Sequence, residues 1–214
     1  MALLNRALTL VAPPFCWACG TVSPYDEPLC RPCRSRLRWL DPAPVEVAGL
    51  ETWAPVSYEG PARALVGALK FRGAPGLASP MAAQIVAGAP TRLLSSAAAL
   101  VPVPLLPARA RRRGFNQAER LAVAIARRTG SEPADCLIRR GPGSTRQVGR
   151  GRAERLRGIA GSVALRRGAR CPSAVILVDD VVTTGATLSA CAAALRGAGA
   201  RRVVALAYAR TPAR

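Results

Sequence analysis

Histidine is absent from this 214-residue chain. An imidazole general base, a His-containing catalytic triad and a histidine-ligated metal are therefore all excluded. Acids are scarce: 12 Asp and Glu stand against 31 Lys and Arg, a formal net charge of +19. Lysine is almost missing, because thirty of those 31 basic residues are Arg and Lys70 is the lone exception. Only three Phe, three Tyr and three Trp are present, so a core must be packed from Ala, Val, Leu and Ile. No G-x-x-x-x-G-K-[ST] loop occurs, which removes nucleotide-driven motors of that class. No run approaches the roughly 18 apolar residues of a spanning helix, so no membrane insertion is expected. The apolar stretch Ala7–Ala12 is short for a signal peptide and stops at Pro13-Pro14. It reads as a short amphipathic helix, and the protein is expected in the cytoplasm.

The chain has the length of one domain, or of a small appendage plus a domain of about 150 residues. Compositional bias accounts for Arg in place of Lys, but not for the shortage of acids. A positive surplus of this size favours polyanionic partners: phosphates, pyrophosphate or nucleic acid. A solvated basic surface is the plain alternative.

Two units are expected, a cysteine-bearing segment over residues 1–49 and a larger domain over 50–214. Trp53–Tyr58 reads as a strand and Ala62–Phe71 as a short helix. From about residue 98 strands and helices alternate. Ala98–Pro102, Ser162–Leu165, Ala174–Val178 and Val203–Ala209 read as strands, and Asn116–Arg128 and Ala186–Gly197 as helices. Apolar strands alternating with helices predict an α/β fold, a doubly wound and mostly parallel sheet covered on both faces. Arg139–Arg157, rich in Arg and Gly, reads as a long loop, a feature usually functional or mobile in compact domains.

Cys16-x2-Cys19 and Cys30-x2-Cys33 have metal-ligand spacing. Each pair can offer two thiolates to one tetrahedral Zn²⁺ ion, and zinc would supply folding energy to a segment with little core of its own. Disulfides and plain core cysteines are the alternatives. With all four ligands from protein, such a zinc is structural. Cys136, Cys171 and Cys191 are scattered and carry no assigned role.

The most informative segment is Val175-Ile176-Leu177-Val178-Asp179-Asp180-Val181-Val182-Thr183-Thr184-Gly185-Ala186-Thr187-Leu188. Four β-type apolar residues run into two adjacent carboxylates, then into hydroxyls around a glycine, then into a helix. Asp179 and Asp180 are the only acids from residue 155 to the end. Side by side they repel, which makes sense if they meet hydroxyls or a divalent cation. Gly185 lets backbone approach a phosphate, Thr183, Thr184 and Thr187 donate hydrogen bonds, and the helix opening near Ala186 favours an anion. A turn with a capping threonine explains the Thr and Gly but not the aspartates. One strand–loop–helix can thus grip a sugar diol and its phosphate.

This segment resembles the phosphoribosyl pyrophosphate motif of type I phosphoribosyltransferases. The cysteine ribbon, Tyr58-Glu59-Gly60, Leu69-Lys70-Phe71-Arg72-Gly73, Val101-Pro102-Val103-Pro104 and Arg113-Gly114-Phe115-Asn116-Gln117 narrow the resemblance to the ComF family. It implies a type I phosphoribosyltransferase fold with an N-terminal zinc ribbon, and a role in natural competence, the handling of incoming single-stranded DNA. It implies Asp179 and Asp180 on the ribose hydroxyls as the catalytic pair. It implies the stretch from Val178 to Thr187, with Val181, Val182, Thr183, Thr184, Gly185 and Ala186, as the phosphoribosyl cradle. In such an arrangement pyrophosphate lies at Pro104–Arg113, against Arg109 and Arg113, whose guanidinium forks suit phosphate oxygens. Mg²⁺ would bridge ligand oxygens and keep waters, and Arg139–Arg157 would close as a lid.

Two functions are carried forward. One is an enzyme that binds phosphoribosyl pyrophosphate and transfers phosphoribosyl to a nitrogen acceptor. The other is a non-catalytic, single-stranded-DNA-associated accessory protein of DNA uptake, with Trp17 and Trp39 as candidate stacking residues. Neither the acceptor nor the oligomeric state follows from the sequence.

Overall fold

The protein is described here by a computed structural model that covers residues 14–24, 27–94, 98–140 and 162–212. The helix expected before Pro13 and most of the Arg139–Arg157 loop lie outside the described residues. In chain order the elements are α1 (Arg31–Ser35), β1 (Val45–Val47), β2 (Leu50–Trp53), β3 (Val56–Ser57), α2 (Gly60–Phe71), α3 (Ala78–Gly88), β4 (Ala99–Pro102), α4 (Pro107–Arg113), α5 (Gln117–Thr129), β5 (Leu137–Arg139), β6 (Val163–Leu165), β7 (Ala174–Val182), α6 (Ala186–Gly197) and β8 (Arg202–Arg210).

The Val-rich β7 and the Ala- and Val-rich β8 are both nine residues long and sit in the middle of the main sheet. The order is β1-β2-β8-β7-β4, with β3 also pairing β8. The β2–β8, β3–β8, β4–β7 and β7–β8 pairs are parallel, and β1 alone runs antiparallel, against β2. A separate antiparallel ribbon joins β5 and β6. Pro102 ends β4, at the sheet's edge, where a residue without an N–H is tolerated.

Side chains alternate between the sheet's two faces. Ile176, Val178, Val204, Leu206 and Tyr208 join Leu65, Leu69, Met81, Ile85, Leu121 and Ile125 on the face covered by α2, α3 and α5. Val175, Leu177, Val203 and Ala205 meet Leu188, Cys191 and Leu195 of α6 on the other. The architecture is the expected doubly wound, mostly parallel α/β sheet of type I phosphoribosyltransferase type, with a four-cysteine segment near its N-terminus. No helix among the described residues is long and apolar enough to cross a membrane.

Several local readings differ from expectation, each for a physical reason. Trp53–Tyr58 is two strands, because Pro55 interrupts it. Helix α3 went unread; its buried face, Ala78, Met81, Ala82 and Ile85, has helical spacing but lies amid Ala, Gly and Pro. The arginine stretch before Gly114 forms helix α4, begun at Pro107 and closed by Gly114 at φ 76°. Strand β7 runs four residues past Val178, because β8 continues to pair with it: Val181 sits opposite Ala209 and Val182 opposite Arg210. Strand β1 comes from the 1–49 segment and pairs with β2 from the 50–214 segment.

Candidate functional site

The extension of β7 separates the two aspartates. Asp179 lies two residues beyond Leu177 and shares its face; Asp180 lies two beyond Val178 and shares the opposite one. The neighbours agree. Asp179 lines a cavity with loop residues from Val181 to Leu188, and Asp180 does not. Asp180 is 2% exposed, and its Oδ1 pairs with Lys70 Nζ of α2 at 2.8 Å.

The loop cavity has a volume of about 50 Å³ and is lined by Asp179, Val181, Val182, Thr183, Thr184, Gly185, Ala186, Thr187 and Leu188. Thr183 and Thr184 are exposed, so their hydroxyls are available. Gly185 is the N-cap of α6 at φ 73°, and no side chain caps that helix. The first-turn N–H groups of α6 therefore lack side-chain acceptors, and the helix dipole favours an anion there. Glycine is required at 185 for two reasons. Its φ is unfavourable for other residues, and a Cβ would stand 2.6 Å from Val47 Cγ1 and 3.0 Å from Ala48 Cβ. The β1–β2 turn, with Ala48 at φ 53° and Gly49 at φ 76°, is thus pressed against the loop. At the cavity's rim Asp179 Oδ1 accepts from the Asp180 N–H at 2.8 Å. Burial, and then the charge of Asp180, push the Asp179 carboxyl up to about 8. The charge of Asp179 in turn reaches Cys191 on α6, whose thiol burial already raises.

On the other face a cationic cluster surrounds Asp180. Arg113 is half-buried, lies with its guanidinium carbon 4.8 Å from the Phe71 ring centroid, and donates from Nη1 to Gln117 Oε1 at 2.9 Å. Burial lowers the Arg113 pKa, Asp180 opposes that shift, and Arg109 and Arg112 reinforce it. Arg113 Nε and Asp180 Oδ2 are both buried without a hydrogen-bond partner. Arg109 and Arg113 sit one turn apart on α4, Arg109 exposed. The structure therefore groups Arg113 with Asp180, and Asp179 with the Thr183–Thr187 loop. Asn116 fixes the start of α5: its Oδ1 accepts from Ala118 N and its Nδ2 donates to the Val103 carbonyl, both at 3.1 Å. Sequence reasoning gave no site role to Lys70, Phe71 or Gln117. The signal for Lys70 was its solitude among thirty arginines.

The four cysteines form a separate centre. Gly20 at φ 79° turns the first knuckle, with its N–H on the Cys16 carbonyl at 2.8 Å, and the second knuckle opens α1. All four Sγ atoms lie within 4.8 Å of one another, and those of Cys19 and Cys30 are 3.6 Å apart. Sulfurs around a tetrahedral zinc stand roughly 3.8 Å apart, given a Zn–S bond near 2.3 Å. The set fits such an ion. Hydrogen bonding to Thr21 pulls the Cys19 thiol down to about 6, while burial and the neighbouring thiols push Cys33 up to about 12. Cys16 and Cys33 are buried in the same core as α2 and α3.

No protein-family model matches the sequence. Among curated proteins, the chain is 37% identical over 103 residues to competence protein ComFC of Streptococcus pneumoniae (strain ATCC BAA-255 / R6), covering 48% of this chain and 44% of that protein. It is 32% identical over 115 residues to competence protein F of Haemophilus influenzae (strain ATCC 51907 / DSM 11121 / KW20 / Rd), covering 53% of this chain and 50% of that protein. The chain thus matches about half the length of these relatives.

Two measurements follow from this geometry. Lys70→Met leaves the buried Asp180 without its counter-charge, so denaturant unfolding is expected to show a loss of about 3–5 kcal/mol. Adding Asp180→Asn restores part of it, and equal stability of single and double variants would count against the pair. The purified chain is expected to carry about one zinc per molecule. A chelator should strip it and expose residues 14–40 to protease, and a chain that never contains metal would remove the centre.

Proposed function

We propose that this chain, a homologue of ComF-type competence proteins over about half its length, binds phosphoribosyl pyrophosphate and transfers its phosphoribosyl group to a nitrogen acceptor. One observation carries the reading: an uncapped helix N-terminus opens into a cavity bordered by Asp179 and Thr183–Thr187. That combination suits a phosphomonoester on a sugar whose hydroxyls need an acceptor.

In this reading the 5′-phosphate takes the α6 amides and the threonine hydroxyls. The ribose hydroxyls donate to Asp179, which must be ionised to accept them. Arg109, exposed on α4, serves the pyrophosphate side. The acceptor nitrogen forms its bond to the anomeric carbon as the bond to pyrophosphate breaks, and the electron pair leaves with the pyrophosphate. Positioning and charge stabilisation of the leaving group are the chain's contribution. Mg²⁺ fits as a ligand-borne ion: the two strand-end carboxylates face opposite ways and build no cage, so the metal would hold pyrophosphate oxygens and water. Free thiols in a four-cysteine centre suit the reducing cytoplasm, where we place the protein.

A second reading is favoured by exposed aromatics beside arginines. Trp39 is 56% and Phe15 47% exposed, near the basic helix α1. Single-stranded DNA could stack there, in keeping with the competence role for which the relatives are named.

Calorimetric titration with phosphoribosyl pyrophosphate and Mg²⁺ tests the first reading. Asp179→Ala plus Asp180→Ala is expected to weaken binding by about tenfold or more, given the worth of hydrogen bonds to charged groups. In the wild type, affinity should rise with pH and level off above about 8, as Asp179 ionises. Equal binding by wild type and double variant would defeat the assignment. For the second reading, oligonucleotide affinity should fall steeply with salt and weaken in Trp39→Ala, and a flat salt response would argue against backbone contacts.

A further inference from the structure

We propose that the cavity between the end of α2 and the end of α4 binds a planar heteroaromatic carboxylate, and that this ligand is the nitrogen acceptor. The word acceptor rests on the transfer reading above; the site itself does not.

This cavity has a volume of about 360 Å³ and is lined by Lys70, Phe71, Gly73, Arg112, Arg113 and Phe115. That is room for a small ring system. Three of the six side groups are cationic, two are phenyl rings, and none is acidic. Each obvious simpler ligand uses only part of this set. An inorganic anion engages the cations and leaves the rings idle. A neutral heterocycle stacks on the rings and leaves the cations without an anion. A carboxylate on an aromatic ring engages both.

The individual side chains point the same way. Phe71 is 66% exposed although it closes a helix whose Leu65, Val66 and Leu69 are buried. The Arg113 guanidinium lies over this exposed ring, 4.8 Å from its centroid. Gln117, itself 4% exposed, anchors Arg113 through Nη1, while the buried Arg113 Nε has no partner. Arg109 and Arg112 act against the Arg113 charge and Asp180 alone supports it, so the cluster is under-compensated and favours an incoming anion. Asp180 is consumed on one side by Lys70, so it does not neutralise the whole group.

The lone lysine adds to this. An ammonium is compact and an arginine fork is not. In a chain that uses Arg at thirty other positions, Lys at 70 fits a place where a guanidinium would fill the cavity. The cavity also bears on the acceptor's chemistry. Its lining holds two arginines, two phenyl rings and an ammonium already paired to Asp180, so no side chain there is free to take a proton. A pyridine-type ring nitrogen has a lone pair and no proton to lose. It forms the N–C bond as the C–O bond breaks, both electrons of that bond leave with pyrophosphate, and no general base is required.

The test uses the full chain, calorimetry at low salt, no phosphoribosyl pyrophosphate, and two probes: pyridine-3-carboxylate and its carboxamide. The carboxylate is expected to bind about tenfold more tightly, as charge-assisted hydrogen bonds imply, and acetate is expected not to bind measurably. Arg113→Gln and Phe71→Ala should each weaken the carboxylate by about fivefold or more. Phe71 is exposed, so its replacement leaves the fold intact. Equal affinity for acid and amide, equal affinity for acetate, or wild-type binding by both variants would overturn the proposal. Ribose 5-phosphate, titrated into the same samples, separates the two readings. If it binds and the carboxylate does not, only the acceptor site falls. If the carboxylate binds and ribose 5-phosphate does not, the cavity stands and the transfer reading falls.

Discussion

The parallel pairing of β7 with β8 continues past the two aspartates, and the arrangement of the candidate site depends on it. Hydrogen bonding to a neighbouring strand holds Asp179 and Asp180 in extended backbone, and extended backbone sends consecutive side chains to opposite faces. Two adjacent carboxylates are thereby placed in two different environments. Asp179 joins a loop of hydroxyls and helix amides under α6. Asp180 joins Lys70 and the arginines of α4. The like-charge repulsion that makes an Asp-Asp pair unusual is reduced by this separation, though enough remains to raise Asp179 further.

Charge is distributed on the same logic. A chain with 31 basic and 12 acidic residues has few carboxylates to spend, and most of its described ion pairs, such as Arg34–Glu27 and Arg166–Asp135, are exposed and contribute little. The Lys70–Asp180 pair is different because it is buried beneath a positive cluster. Breaking one member of a buried pair costs far more than losing a surface bridge. The cysteine centre poses the inverse problem: burial and the neighbouring thiols hold Cys33 against ionisation, and a cation among the four sulfurs would offset that.

The N-terminal elements are packed into this arrangement. Cys16, Leu29, Cys33 and Leu37 belong to the core shared by α2 and α3. The β1–β2 turn occupies the space that a side chain at residue 185 would need. The conformation of the Thr183–Gly185 loop is therefore held from outside its own strand–loop–helix, by a hairpin turn with two residues in the left-handed region.

Much of this was legible in residue order. The apolar β-type run before Asp179 and the helix read over Asn116–Arg128 rest on local signals, and local signals determine local structure. The C-x2-C pairs foretold the clustering of four sulfurs because ligand spacing is itself local. Tertiary contacts decided the rest. Whether β7 stopped at Val178 or ran to Val182 depended on a partner strand some twenty-eight residues away, so nothing near Asp179 could disclose that its neighbour would face the other way. The role of Lys70 was equally hidden, since its partner lies 110 positions along the chain. Composition marked that lysine as unusual; only folding brought it to a buried carboxylate, because sequence records which charges exist and the packed sheet determines which of them meet.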